Sequence, residues 1–111
     1  MAHVPPGKFE RFYQEYNDQF GFPWFSDAYN DRYLELMDES SDVIAFHFYG
    51  HHHTDMIKFL KSPNTGEVSS LALLTPGVTP WISTLANETG GNNPGLRLYH
   101  YDKTTGDVRI C

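Results

Sequence analysis

A run of β-branched and aromatic residues at positions 43–49 ends at a glycine, and three consecutive histidines follow it. Runs of this length and composition are typical of buried strands, so the sequence predicts a strand over residues 43–49. Gly50 permits the sharp backbone turn that ends such a strand. The chain must therefore place His51, His52 and His53 at the end of a sheet strand, and the rest of the fold has to be built around that strand.

One clear helix is predicted before this strand. Ser26 is a suitable N-cap, and Asp27 follows it in the first turn, beside the positive end of the helix. Apolar residues then recur at helical spacing up to about Glu39. These residues are Tyr29, Tyr33, Leu36 and Met37. A second helical segment is predicted over residues 8–19, which are aromatic and polar.

Further strands, separated by turns that contain glycine, are predicted after the histidines. Their bounds are residues 55–61, 68–75, 96–101 and a short segment from residue 107. The whole chain, residues 1–111, is therefore predicted to form one α/β domain with one main helix and a mostly antiparallel β run. A single helix cannot cover both faces and both edges of such a sheet, which indicates part of a larger α/β sandwich.

The composition argues against several classes of protein. The chain has 111 residues, a formal net charge of -6 and only 8 lysines and arginines, so no basic patch for nucleic-acid polymers is expected. No apolar run approaches the roughly 20 residues of a transmembrane span, and the first residues do not resemble a signal peptide. Cys111 is the single cysteine, so an internal disulfide is excluded.

The histidines are candidate metal ligands. Alternation along a strand would send His51 and His53 to one side and His52 to the other, so the first two are placed to bind one metal ion or two neighbouring ones. Imidazole suits zinc, iron and similar ions. His3 precedes two prolines that hold its backbone, which favours a preorganised ligand. The pattern alone equally fits a solvated histidine-rich loop and a structural His3.

Five short motifs occur in order along the chain: AHVPPG, FYGHHHTD, TPGVTPW, NNPG and RLYHYD. The series resembles the acid sphingomyelinase-like phosphodiesterases, a branch of the calcineurin-like metallophosphoesterases. The resemblance implies a four-layer α/β sandwich with two central mixed sheets and a dinuclear metal site at the carboxyl ends of the strands. We expect the chain to match only the later half of that catalytic domain, because the family's Asp-x-His motif and Asn-His pair do not occur in these residues.

The resemblance implies a role for each histidine in these motifs. His3 and His51 would ligate one divalent metal ion and His53 a second, with zinc as the expected metal. The remaining ligands and the general acid would come from the other half of the domain, so no catalytic acid is assigned in this chain. His52 occupies a variable position. It either contacts a substrate phosphate or leaving group or, as we favour, is exposed or supports the ligands.

Other residues are open to two interpretations. Trp81 either stacks on a substrate base or fills the core beneath its loop. Asn87 begins an Asn-Glu-Thr tripeptide, which is either an N-glycosylation site or a chance match in a polar loop. Asp55 either orients an imidazole or is a surface charge. His47 and His100 are interpreted as structural.

The predicted function is metal-dependent hydrolysis of phosphodiester or phosphoanhydride bonds, in sphingomyelin-like or nucleotide substrates, by a metal-bound hydroxide. The alternative is a non-catalytic fragment that at most binds a metal ion through three histidines. The resemblance also implies a secreted, extracellular or lysosomal protein that acts on a small molecule. Two structural expectations follow. The imidazoles of His3, His51 and His53 should converge in one cavity, and the strand over residues 43–49 should be central, with an apolar face left exposed.

Overall fold

The computed structural model describes residues 1–9, 15–16, 19–82 and 91–110. Within these ranges the chain is a mixed α/β protein, as predicted. The strands in chain order are β1 (Lys8–Phe9), β2 (Glu15–Tyr16), β3 (Gln19–Phe20), β4 (Phe22–Pro23), β5 (His47–Tyr49), β6 (Met56–Lys61), β7 (Val68–Leu74), β8 (Tyr99–Tyr101) and β9 (Val108–Ile110). The helix α1 spans Asp27–Glu39. In this described part of the chain, no helix has the length and hydrophobicity of a membrane span. The four-layer sandwich stays a prediction.

The N-terminal segment folds into short paired strands. β1 pairs with β4 in antiparallel register, and β2 pairs with β3, which lie between them in sequence. Phe9, at the end of β1, is 1% exposed, and its ring lies against Trp24 and His52. The predicted helix over residues 8–19 is therefore wrong for the described residues of that range. Burial of Phe9 against rings from later in the chain overrides the local helical preference.

The helix α1 has the predicted bounds but presents a different face to the sheet. Ser26 has the extended backbone of an N-cap, although its hydroxyl makes no capping hydrogen bond. Tyr33 and Leu34 pack against the sheet core. Tyr29 and Leu36, which belong to the predicted apolar stripe, are exposed instead. The contact face is thus rotated relative to the one predicted from spacing.

A three-stranded sheet has the strand order β5-β7-β6. The loop that follows β5 contains His51, His52 and His53 and is called the histidine loop. β5 runs parallel to β7, whereas β6 runs antiparallel to it. The prediction that the strand over residues 43–49 is central is therefore wrong in the described sheet, where β7 is central. The reason is burial: Ala72, Leu73 and Leu74 of β7 are 0% exposed. By contrast, Val43 is 77% exposed, and β5 begins only at His47.

The core lies between one face of this sheet and α1. It consists of Tyr49, Leu60, Ala72 and Leu74, with Tyr33, Leu34 and Met56 packed against it. Because side chains alternate along a strand, Ile57 and Phe59 of β6 point to the other face, where they are 41% and 66% exposed. Leu73, which pairs with Ile57 on this face, is 0% exposed, so the face is exposed only in part, and its cover by a missing half stays a prediction. Tyr49 is nevertheless buried by this chain, while Phe46 and Phe48 are half-buried.

Both predicted glycine turns are present. Gly66 and Gly106 have φ values of +74° and +79°, which glycine adopts without strain. In the second turn the Asp102 carboxylate accepts hydrogen bonds from the backbone N–H groups of Thr104 and Thr105, and these bonds lower the pKa of Asp102. This turn joins β8 and β9 into an antiparallel hairpin. β8 is shorter than the strand predicted over residues 96–101.

Candidate metal-binding site

The N-terminal segment brings His3 to the end of β5. The backbone N–H of Ala2 donates to the carbonyl oxygen of Phe48 at 3.1 Å, and the N–H of Gly50 donates to the carbonyl oxygen of His3 at 3.0 Å. A side chain at position 50 would place its Cβ 3.2 Å from Nδ1 of His3. Glycine at this position therefore allows the imidazole to approach the strand end closely.

His3 and His51 face each other across this junction. Nε2 of His3 lies 3.3 Å from Nδ1 of His51, and the two rings are nearly perpendicular. Two nitrogens that bind one tetrahedral zinc ion at about 2.0–2.1 Å lie roughly 3.3–3.4 Å apart. The observed separation therefore fits two ligands of one ion. It also fits a direct hydrogen bond between rings of complementary tautomers.

The surroundings of His51 favour its neutral form. Burial lowers the pKa of its imidazole, and the neighbouring charges of His3 and His53 lower this pKa further. Only a neutral ring offers a lone pair to a metal ion, so His51 is kept in the form that a ligand needs.

The loop that carries the histidines has an unusual backbone. His51 and His53 have φ values of +68° and +52°, in the left-handed region that residues other than glycine seldom adopt. The His52 N–H donates to the carbonyl oxygen of Gly50 at 2.8 Å, and the Thr54 hydroxyl donates to that of His52 at 2.9 Å. The directions of the imidazoles are therefore set by this bend and not by strand alternation. Backbone strain of this kind is common at functional sites.

His53 contacts residues of the segment between β7 and β8. Its ring centroid lies 4.9 Å from that of Trp81, which is half-buried, and the Asn92 amide donates to the His53 carbonyl oxygen at 3.0 Å. At Gly77 a Cβ would lie 3.0 Å from Nδ1 of His53. That nitrogen is buried and has no hydrogen-bond partner among the described residues. This ring nitrogen is therefore packed closely against Gly77.

His52 points into the protein. It is 1% exposed, its ring packs against Phe9, and its Nε2 accepts a hydrogen bond from the indole N–H of Trp24. The interpretation of His52 as an exposed residue is therefore wrong, and its role in supporting metal ligands stays a prediction. The ring of Trp24 also meets the ring of His51, with centroids 4.2 Å apart. The sequence prediction missed Trp24, and the aromatic cluster directly before α1 was the signal that could have found it.

The remaining candidate residues lie in different surroundings. Asp55 forms an ion pair with Arg97 at 2.6 Å, so its carboxylate faces a guanidinium group. His47 is buried on β5, and this burial lowers the pKa of its imidazole. His100 is exposed on β8. Asn87 lies outside the described residues.

The predicted ligands thus come together in part. His3 and His51 are in contact, whereas the ring of His53 packs against Trp81. Within the described ranges, no three His, Cys, Asp or Glu side chains are close enough to hold one metal ion. An open cavity of about 800 Å³ adjoins His3 and has Phe48 and Tyr99 in its walls. The geometry is that of two facing histidines and a third histidine apart from them, with a cavity next to His3.

Known proteins resemble this chain over nearly its whole length. It is 42% identical to acid sphingomyelinase-like phosphodiesterase 3b of Mus musculus over 110 residues, which are 98% of this chain and 22% of the relative. It is 45% identical to a cyclic GMP-AMP phosphodiesterase of Homo sapiens over 92% of this chain and 20% of the relative. With sphingomyelinase phosphodiesterase C of Dictyostelium discoideum the identity is 38%, over 95% of this chain and 23% of the relative.

This similarity confirms the resemblance that the motifs predicted. No protein-family model matches the chain. The chain spans about a fifth of the length of the relatives it matches.

Proposed function

We propose that this chain supplies metal-binding histidines to a phosphodiesterase active site. The proposal is supported by its homology to the acid sphingomyelinase-like phosphodiesterases, which extends over nearly its whole length. The observation that carries the proposal is the 3.3 Å separation between Nε2 of His3 and Nδ1 of His51. Backbone pairing with Gly50 fixes the position of the first residue, and the left-handed bend fixes that of the second. A pair held in this way before an ion binds is favourable for ligation.

In this proposal His3 and His51 hold one divalent ion and His53 holds its neighbour, with zinc as the expected metal. Two such ions, when bound, activate a water molecule and neutralise phosphoryl oxygens. The ring nitrogens of His3 and His51 face each other at 3.3 Å, and His3 also lines the cavity. The other ligands and the general acid are proposed to belong to the part of the relatives' length that this chain does not span.

The proposed substrates are small molecules with a phosphodiester or phosphoanhydride bond, of the sphingomyelin-like or nucleotide type. One relative is named a sphingomyelinase phosphodiesterase and another a cyclic GMP-AMP phosphodiesterase. The cavity of about 800 Å³ beside His3 has the size that small ligands occupy, and its walls include Tyr99 and Tyr101. Trp81, half-buried beside His53, is a further candidate for stacking on a substrate. Secretion or a lysosomal location, with glycosylation at Asn87, belongs to the same proposal.

Titration of the chain with zinc in a calorimeter tests the ligand assignment. We expect one ion to bind, and His3→Ala and His51→Ala each to weaken binding by about tenfold or more, because each removes one of two protein ligands. His100→Ala changes an exposed histidine on β8 and is the matched control, which should bind zinc as the wild type does. Equal affinities in all three variants would exclude the pair as the metal site.

A further inference from the structure

Trp24 contacts two of the three consecutive histidines at once. Its indole N–H donates a hydrogen bond to Nε2 of His52, and its ring meets that of His51 edge-on, with centroids 4.2 Å apart. The backbone N–H of Trp24 donates in turn to the carbonyl oxygen of Gly7 at 3.3 Å. Gly7 and Trp24 flank the paired strands β1 and β4, so Trp24, together with Phe9 of β1, joins the N-terminal hairpin to the histidine loop.

The hydrogen bond from Trp24 determines the tautomer of His52. An indole nitrogen can only donate, so Nε2 of His52 must be without a proton in order to accept. A neutral His52 therefore carries its proton on Nδ1. The ring is 1% exposed and lies between Trp24 and Phe9, with centroids 5.5 and 5.1 Å away. His52 is thus anchored in the interior in one orientation.

An anchored His52 restrains the residues on both sides of it. His51 and His53 have left-handed backbones, with φ values of +68° and +52°. Such conformations persist only where surrounding contacts hold them. The buried ring of His52 supplies one such contact. The indole of Trp24, packed edge-on against His51, limits the rotation of the imidazole whose Nδ1 faces His3.

We propose that Trp24 is a positioning residue of the histidine pair: through its hydrogen bond to His52 and its ring contact with His51, it keeps Nδ1 of His51 directed at Nε2 of His3. The inference rests on the proposed function in so far as this pair is the proposed metal site. Trp24 acts through the two histidines and is not itself a ligand.

NMR spectra of the isotope-labelled chain test the geometry without a metal ion. In the wild type, His52 should be protonated on Nδ1, and the rings of His3 and His51 should show mutual NOEs. Trp24→Phe keeps an aromatic ring but lacks the N–H, so it should lose the fixed tautomer and weaken these NOEs. Phe25→Leu changes the adjacent aromatic residue and should retain both signals. A His52 protonated on Nε2 in the wild type, or unchanged NOEs in Trp24→Phe, would overturn the proposal.

A second pair of variants keeps the proposal testable if Trp24→Phe does not fold. His52→Gln places an amide oxygen where it can accept the indole hydrogen bond, whereas His52→Leu has a similar size but leaves the indole donor unpaired. In zinc calorimetry His52→Gln should keep the affinity of the wild type. His52→Leu should lose about 10- to 100-fold, the range found when a partner that orients a metal ligand is removed. Equal affinities of the two variants would overturn the proposal.

Absence of zinc binding by the wild type can be distinguished from absence of the positioning role of Trp24. If the wild type binds no zinc, the ligand assignment of the proposed function fails, and the positioning role is decided by the NOEs between His3 and His51. NOEs that persist in His52→Gln and disappear in His52→Leu support the role of Trp24. NOEs that are the same in both variants overturn it.

Discussion

The carbonyl oxygen of His3 accepts a hydrogen bond from the backbone N–H of Gly50 at 3.0 Å, which joins the first residues of the chain to the end of β5. Because both partners are backbone atoms, this contact fixes where the Cα of His3 lies and leaves only the rotation of its ring to other contacts. The candidate site is therefore an extension of the sheet edge. The following predictions depend on that arrangement and on the core beneath it.

Gly50→Ala should weaken metal binding without unfolding the chain. The added Cβ would lie 3.2 Å from Nδ1 of His3 and 3.5 Å from its Cε1, so the imidazole would have to move. We expect the zinc affinity, measured by calorimetry, to fall about tenfold, as it does when the orientation of a ligand is disturbed. Gly91→Ala is the matched control, because its Cβ would meet other atoms only at 3.6 Å or more. Equal affinities in the two variants would contradict the close approach of His3.

Leu74→Ala should destabilise the fold strongly. Leu74 is 0% exposed on the central strand β7, where it pairs with Tyr49 on one side and Met56 on the other. Loss of a buried leucine side chain costs about 2–5 kcal/mol, because a cavity remains. Leu98→Ala removes the same atoms from a residue that is 67% exposed and should change the free energy of unfolding by less than about 0.5 kcal/mol. Urea unfolding followed by tryptophan fluorescence measures the free energy of unfolding of both variants. Similarly small changes in the two variants would mean that Leu74 of β7 does not lie in the core.

Acidification should destabilise the fold through His47. Burial lowers the pKa of its imidazole below the ordinary value of 6.5, so the folded chain keeps it neutral at a pH where the unfolded chain binds a proton. The unfolded state then holds more protons, and the free energy of unfolding falls as the pH drops from above 6.5 towards the lowered pKa of the folded state. His47→Leu should show a weaker fall between about pH 7.5 and pH 5.

The control for this experiment is Leu98→Ala, which changes an exposed apolar residue and removes no ionisable group. Its unfolding free energy should follow the wild-type dependence on pH. If His47→Leu and the control have the same slope in that pH range, His47 is not the residue that couples folding to protonation.

Local signals predicted the elements of this fold better than their arrangement. The bounds of α1 follow from apolar spacing, and those of β6 and β7 follow from alternation around a turn that contains Gly66. The central place of β7 depends on pairing with β5 and β6, and strand preference by itself does not specify a partner. The N-terminal hairpins escaped prediction for a related reason, since Phe9 is buried by Trp24 and His52 from later segments.

For the candidate site too, the sequence predicted which residues take part but not how their side chains are arranged. The order of the motifs identified His3, His51 and His53 as candidates, because each motif is a local string of residues. Their directions were not predictable, since alternation assumes an extended backbone and the loop is left-handed at two of these positions. Trp24 was missed because its contact with His52 exists only in the folded chain.

The chain by itself should not hydrolyse phosphodiesters. In the proposed assignment it offers His3 and His51 to one ion and His53 to another, and in its described part no three His, Cys, Asp or Glu side chains are close enough to hold one ion. A catalytic zinc site uses about three protein ligands and a water molecule. We therefore expect weak binding of at most one divalent ion. Turnover of a chromogenic phosphodiester should be no faster than in a His3→Ala, His53→Ala double variant.

A longer protein that supplies the remaining ligands should behave differently from residues 1–111. It should hydrolyse the same substrate in a metal-dependent way and lose most of that activity on His51→Ala or His53→Ala, because each change removes a proposed metal ligand. Chelator-sensitive turnover by residues 1–111 that the double variant abolishes would mean that this segment carries a complete site. If the turnover of the longer protein is the same in His51→Ala and in His53→Ala as in the wild type, the assignment of these histidines as ligands is contradicted.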